Sequence, residues 1–120
     1  MQVSVSSSEF SSLAQSYNII PVFTEIPVDL DTPVSLYYKL VGDKPGFMLE
    51  SAESSKNFGR YSFIGTDPIM SLTTYPDRIE VNAADNRYSI DKPTLAALQE
   101  VLEGFSFAYF SQLPPFSGGA

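Results

Sequence analysis

Glu50 and Arg60 are the two charges in this chain whose neighbours suggest chemistry. They stand near the facing ends of two short strand-like runs, 47–52 and 60–64, joined by a polar loop. As a plain cross-strand ion pair they would contribute under about 1 kcal/mol. The other use is recognition of a small zwitterion. A free amino acid needs acceptors for its ammonium, donors for its carboxylate and an apolar slot for its side chain. Glu50, Arg60, Ser51 and Ser62 supply the polar groups, with Leu49 and Tyr61 as walls. Both readings stay open on the residues alone.

The strands must position these groups. Side chains alternate across a strand, so Phe47, Leu49 and Ser51 share one face and Met48, Glu50 and Ala52 the other. Ser51 completes an otherwise apolar face and is expected to be buried. A buried hydroxyl needs a partner, whether a carbonyl, a water or a ligand.

Composition narrows what that partner can be. The chain has 120 residues, 43% hydrophobic and 13% aromatic, which suits one folded domain or part of one. Its 14 acidic and 7 basic residues give a net charge of −7 without a basic run, so nucleic acid is not an expected partner. Cysteine and histidine are both absent. That removes thiolate chemistry, the commonest general base and the commonest neutral metal ligand. Asp29, Asp31, Glu50 and Glu53 lack a metal-loop spacing, and Gly118-Gly119 does not make a phosphate loop. These absences count strongly against most hydrolytic mechanisms, the carboxylates are not fixed as an acid–base pair, and no metal ligand is expected. Residues 1–10 have no signal-peptide pattern, and no apolar run approaches a bilayer span, so a cytoplasmic protein without a membrane partner is the expectation.

Along the chain, residues 1–6 read as a flexible tail and 7–120 as one folded region. A short helix is expected from Ser7 or Ser8 to about Tyr17, carrying Phe10, Leu13 and Ala14. Residues 18–28 are rich in β-branched side chains and read as a strand, at an edge or bulged because Pro21 and Pro27 cannot donate. Thr32-Pro33 is a helix start, with Val34, Tyr37, Leu40 and Val41 as its apolar stripe and Gly42 as its stop. After Pro68, runs at 69–75, 78–82 and 87–90 predict an antiparallel meander. A helix is predicted over 91–104, lined by Leu95, Leu98, Val101, Leu102 and then Phe105. Strands and helices do not alternate as βαβ units, so the fold class is α+β, with a mixed or mainly antiparallel sheet and two to three short helices. The last stretch crowds Phe105, Phe107, Tyr109, Phe110 and Phe116 beside two prolines. Aromatic surface of that density calls for cover, either by packing back on the domain or, the favoured reading, because the chain is cut inside a larger fold.

Four runs carry a resemblance that covers nearly the whole chain from about residue 9. Tyr-Asn-Ile-Ile-Pro-Val-Phe at 17–23, Asp-Thr-Pro-Val-Ser-Leu-Tyr-Tyr-Lys-Leu at 31–40, Phe-Met-Leu-Glu-Ser at 47–51 and Gly-Arg-Tyr-Ser-Phe-Ile-Gly at 59–65 resemble the N-terminal region of anthranilate synthase component I. The ending at 113–120 looks like the same family just before its polypeptide continues. The resemblance implies a parent, of a larger two-layer chorismate-enzyme fold, that makes anthranilate and pyruvate from chorismate and ammonia. It implies Mg²⁺ in the parent, a glutamine amidotransferase subunit beside it and inhibition by L-tryptophan. The chorismate and Mg²⁺ residues lie, in the family, in a C-terminal catalytic portion beyond this region. The matched region is the regulatory one, whose Leu-Glu-Ser serine contacts tryptophan. The role passes to Ser51, with Glu50 and Leu49 beside it and Arg60 across a loop of variable length. A later Pro-containing segment completes that pocket. The sister enzyme aminodeoxychorismate synthase component I, or a stand-alone binding domain on the same fold, are the alternatives.

Overall fold

The computed structural model describes residues 2–50 and 61–114. Three helices and five strands follow the order α1 Ser7–Leu13, α2 Pro33–Leu40, β1 Gly46–Glu50, β2 Ser62–Thr66, β3 Met70–Thr74, β4 Ile79–Ala83, β5 Asn86–Ile90 and α3 Thr94–Glu103. The strands form two antiparallel sheets, the ribbon β1-β2 and the meander β3-β4-β5. The α+β class and the meander both stand as the sequence predicted.

The helix starts are local chemistry. Ser6, one residue before the expected cap, accepts from the Glu9 amide while Glu9 reaches back to the Ser6 N–H at 2.8 Å. Thr32 and Ser35 make the same reciprocal pair ahead of α2, with Pro33 in the first turn. The Asp31 carboxylate accepts from Lys39 Nζ and from Ser35 Oγ, and these two bonds hold its pKa below the ordinary carboxylate range. Gly42, at φ +59°, turns the chain out of α2 in the left-handed conformation that costs a glycine little.

The core lies between the meander and α3. On the central strand β4, Ile79 and Val81 are buried while Glu80 and Asn82 face water, the period-two pattern of a sheet with one wet face. Ala97 and Val101 of α3 close on them, joined by the half-buried Met70, Leu72, Ile90, Leu98 and Phe105. The α3 stripe differs from the predicted one. Leu95 is 81% exposed and Leu102 is also exposed, because the sheet contacts the Ala97–Val101 side, where a small alanine permits close approach. On α2 only Val41, just past the helix, is buried from the predicted stripe; Tyr37 is half-buried, and Val34 and Leu40 face out.

Residues 18–28 do not join a sheet, contrary to the strand reading. Among the described residues, one parallel bridge, Ile19 to Phe107, is the only ladder contact there. The strand-forming side chains are present, but a strand also needs a neighbouring strand along its length, and none of the five pairs with these residues. The aromatic stretch after α3 is divided. Phe105 is half-buried in the core and Phe110 meets Phe23 edge-to-face at 5.8 Å, whereas Phe107 and Tyr109 are exposed. Phe116 lies outside the described residues.

Candidate functional site

The β1-β2 ribbon places the sequence-predicted residues. Its register pairs Gly46 with Thr66, Phe47 with Gly65, Met48 with Ile64, Leu49 with Phe63, and Glu50 with Ser62. Directly paired residues in an antiparallel ladder project from the same face. Phe47, Leu49, Tyr61 and Phe63 therefore occupy one face, and Met48, Glu50, Ser62 and Ile64 the other.

The second face is the packed one. A Cβ on Gly46 would come within 2.5 Å of Val41 Cγ1, so the ribbon backbone sits directly on the buried valine at the end of α2. Met48 and Ile64 are half-buried on this side, and Glu50 and Ser62 are exposed at its end. The first face is open. Leu49 is 51% exposed and Phe47 and Tyr61 are also exposed, with Phe63 half-buried between them. The Tyr61 and Phe63 rings lie tilted at 6.3 Å, and the Phe47 ring covers Gly65, where any side chain would overlap it. The expected burial of the Phe47–Leu49 face is thus corrected. The ribbon has one covered side, and α2 takes the Met48 side.

Alternation also separates the residues that the zwitterion reading had grouped. Leu49 and Tyr61 line the open aromatic face, whereas the Glu50 and Ser62 side chains point to the face that meets α2. A molecule lying on the aromatic face would reach position 50 through its backbone. Ser51 and Arg60, and with them the Glu50–Arg60 pairing, lie outside the described residues. Phe63 was not singled out in the sequence, although alternation from Tyr61 put it on the same face and the register sets it opposite Leu49.

Elsewhere, an open cavity of about 490 Å³ lies between β5 and α3, lined by Tyr88, Ile90, Val101 and the Lys92–Glu100 ion pair. No residue of the ribbon contributes to it. Among the described residues no group of three acidic side chains is arranged to hold a metal. No helix among them is long and apolar enough to cross a membrane.

Comparison with known proteins adds the family. Anthranilate synthase component 1 of Synechocystis is 40% identical over 114 residues, covering 93% of this chain and 22% of that protein. The Aquifex aeolicus protein of the same name is 37% identical over 122 residues, covering 99% of this chain and 24% of its own length. That of Mycobacterium tuberculosis is 34% identical over 124 residues, again 99% and 24%. No family model matches the chain. No solved structure matches it either. The chain spans about a quarter of the curated relatives it matches. Over nearly its whole length, it is a relative of the anthranilate synthase component 1 proteins, as its Leu-Glu-Ser and Gly-Arg-Tyr-Ser-Phe runs led us to expect.

Proposed function

We propose that this chain is the regulatory region of an anthranilate synthase component 1 and carries part of an L-tryptophan feedback site. The observation that supports the reading best is the open face of the β1-β2 ribbon. Leu49, Tyr61 and Phe63 bring apolar and aromatic groups to one face, which suits an indole ring by stacking and area burial. Ser51, two residues after Leu49 in the sequence, supplies a hydroxyl for the amino-acid end of the ligand in this reading. Arg60 contributes the charge for its carboxylate. Glu50 supports the site from behind, through the strand backbone and its pairing with Ser62.

The parent polypeptide converts chorismate and ammonia to anthranilate and pyruvate with Mg²⁺, in partnership with a glutamine amidotransferase subunit. The 120-residue chain alone, without histidine or cysteine, forms no anthranilate. The catalytic groups and the Pro-containing segment that completes the tryptophan pocket belong to the rest of that polypeptide.

The test is Ser51→Phe in the full-length parent. Anthranilate fluorescence is followed from chorismate, Mg²⁺ and ammonium across a tryptophan series. The expected result is a rise of tenfold or more in the inhibitory concentration, equal to about 1.4 kcal/mol of lost binding, with turnover in the absence of tryptophan unchanged. An unchanged inhibition curve rejects the role of Ser51.

A further inference from the structure

Residues 20–28 run without a turn or bend, and among the described residues only one of their two backbone edges carries hydrogen bonds. In an extended chain the N–H and C=O of alternate residues point to opposite edges. On the odd-numbered side, hydrogen bonds fall at Ile19 and Phe23. Ile19 donates to Ser106 O at 3.0 Å and accepts from the Ala108 N–H at 2.9 Å; Phe23 donates to Ser4 Oγ and accepts from the Ser4 N–H, both at 3.0 Å. Both prolines, Pro21 and Pro27, share this parity, so their missing donors fall on the same edge as Ile19 and Phe23.

The even-numbered residues face the other way. Among the described residues, no hydrogen bond to the backbone groups of Val22, Thr24, Ile26 or Val28 is recorded. Their apolar side chains are exposed too, with Val22 at 55% and Ile26 at 59%. This edge keeps a full set of donors and acceptors with β-branched side chains along it, the pattern that accepts an added strand.

We infer that the Val22–Thr24–Ile26–Val28 edge receives a β-strand from the remainder of the same component 1 polypeptide. Three considerations select that occupant. An extended row of backbone donors and acceptors fits another strand. A second copy of the chain is disfavoured, since each carries a net charge of −7 and the segment holds Glu25 and Asp29. The relatives match over only 22–24% of their length, so more than three quarters of each lies outside the match and can supply the strand. The inference rests on the reading of this chain as a region of such a polypeptide.

Amide hydrogen exchange, resolved to single residues, tests it on the full-length polypeptide and on the 120-residue chain. The amides of Val22, Thr24, Ile26 and Val28 exchange about 100-fold or more slowly in the full-length protein than in the short chain. Equal rates in the two overturn the inference. So does protection in the short chain that grows with its concentration, which would mean that a second copy covers the edge. A pair of proline variants of the full-length protein provides a second readout. Ile26→Pro removes a donor from the open edge and lowers the melting temperature, whereas Glu25→Pro, at an amide of the other edge that donates no hydrogen bond among the described residues, leaves it nearly unchanged. Equal effects of the two count against the assignment. Anthranilate formation by the full-length protein is measured separately. Its absence defeats the parent reading, while unprotected amides in an active enzyme defeat the docking inference alone.

Discussion

Gly46→Ala is the substitution whose outcome the geometry specifies most closely. The added methyl would lie 2.5 Å from Val41 Cγ1, 3.1 Å from its Cγ2 and 2.7 Å from the carbonyl oxygen of Gly65. Val41 is 2% exposed and has little room to yield. Overpacking of this kind costs about 1–3 kcal/mol, and the reduced freedom of the unfolded chain returns about 0.4–1 kcal/mol. A net loss of about 0–2.6 kcal/mol, centred on ~1.3 kcal/mol, follows from those two terms. Val41→Ala alone removes two buried methyl groups and costs about 2 kcal/mol, from roughly 0.8 kcal/mol per group plus the cavity. In the double variant, the new methyl of residue 46 enters the space that Val41 vacates. The loss is then smaller than the sum of the two by about 1 kcal/mol, well outside the 0.3–0.5 kcal/mol scatter of independent sites. The Gly65 carbonyl still crowds the methyl, so full recovery is not expected. Urea unfolding followed by far-UV circular dichroism gives all four stabilities. Additivity would refute the claim that the ribbon rests on Val41, and with it the identity of the ribbon's covered face.

Other consequences are equally direct. Val101→Ala, in the core between α3 and β4, costs about 1.5–2.5 kcal/mol, whereas Leu95→Ala on the exposed side changes stability by less than about 0.5 kcal/mol, both read by urea unfolding. Thr32→Ala removes the acceptor for the Ser35 amide and costs about 1 kcal/mol, seen as a lower melting temperature. The Asp31 carboxyl titrates lower in the folded chain than in the unfolded one, because Lys39 and Ser35 bond to its charged form. Its contribution is therefore complete above the unfolded value of about 3.9 and disappears as pH falls through the lowered folded value. The stability difference between wild type and Asp31→Asn, measured across an acid series, should be full at neutral pH and shrink to nothing at the acid end.

Local chemistry was legible in the sequence. Thr32-Pro33 and Gly42 bounded α2 because a cap, a fixed φ and a positive φ are properties of single residues. The meander was legible because Ile79, Glu80, Val81 and Asn82 alternate, and alternation maps directly onto a sheet with one covered face. The family was legible in four ordered runs of residues. Tertiary structure alone decided which faces are covered. Leu95 and Val101 are both apolar and on one helix, yet only the side with Ala97 approaches β4. Residues 18–28 have strand-forming side chains and no sheet, because pairing requires a second backbone and not propensity alone. The same rule decided the ribbon: Glu50 and Leu49 are neighbours in the chain, and α2 takes one face and leaves the aromatic one open. Sequence named the residues around Ser51, and packing against Val41 determined which side of the β1-β2 ribbon is covered.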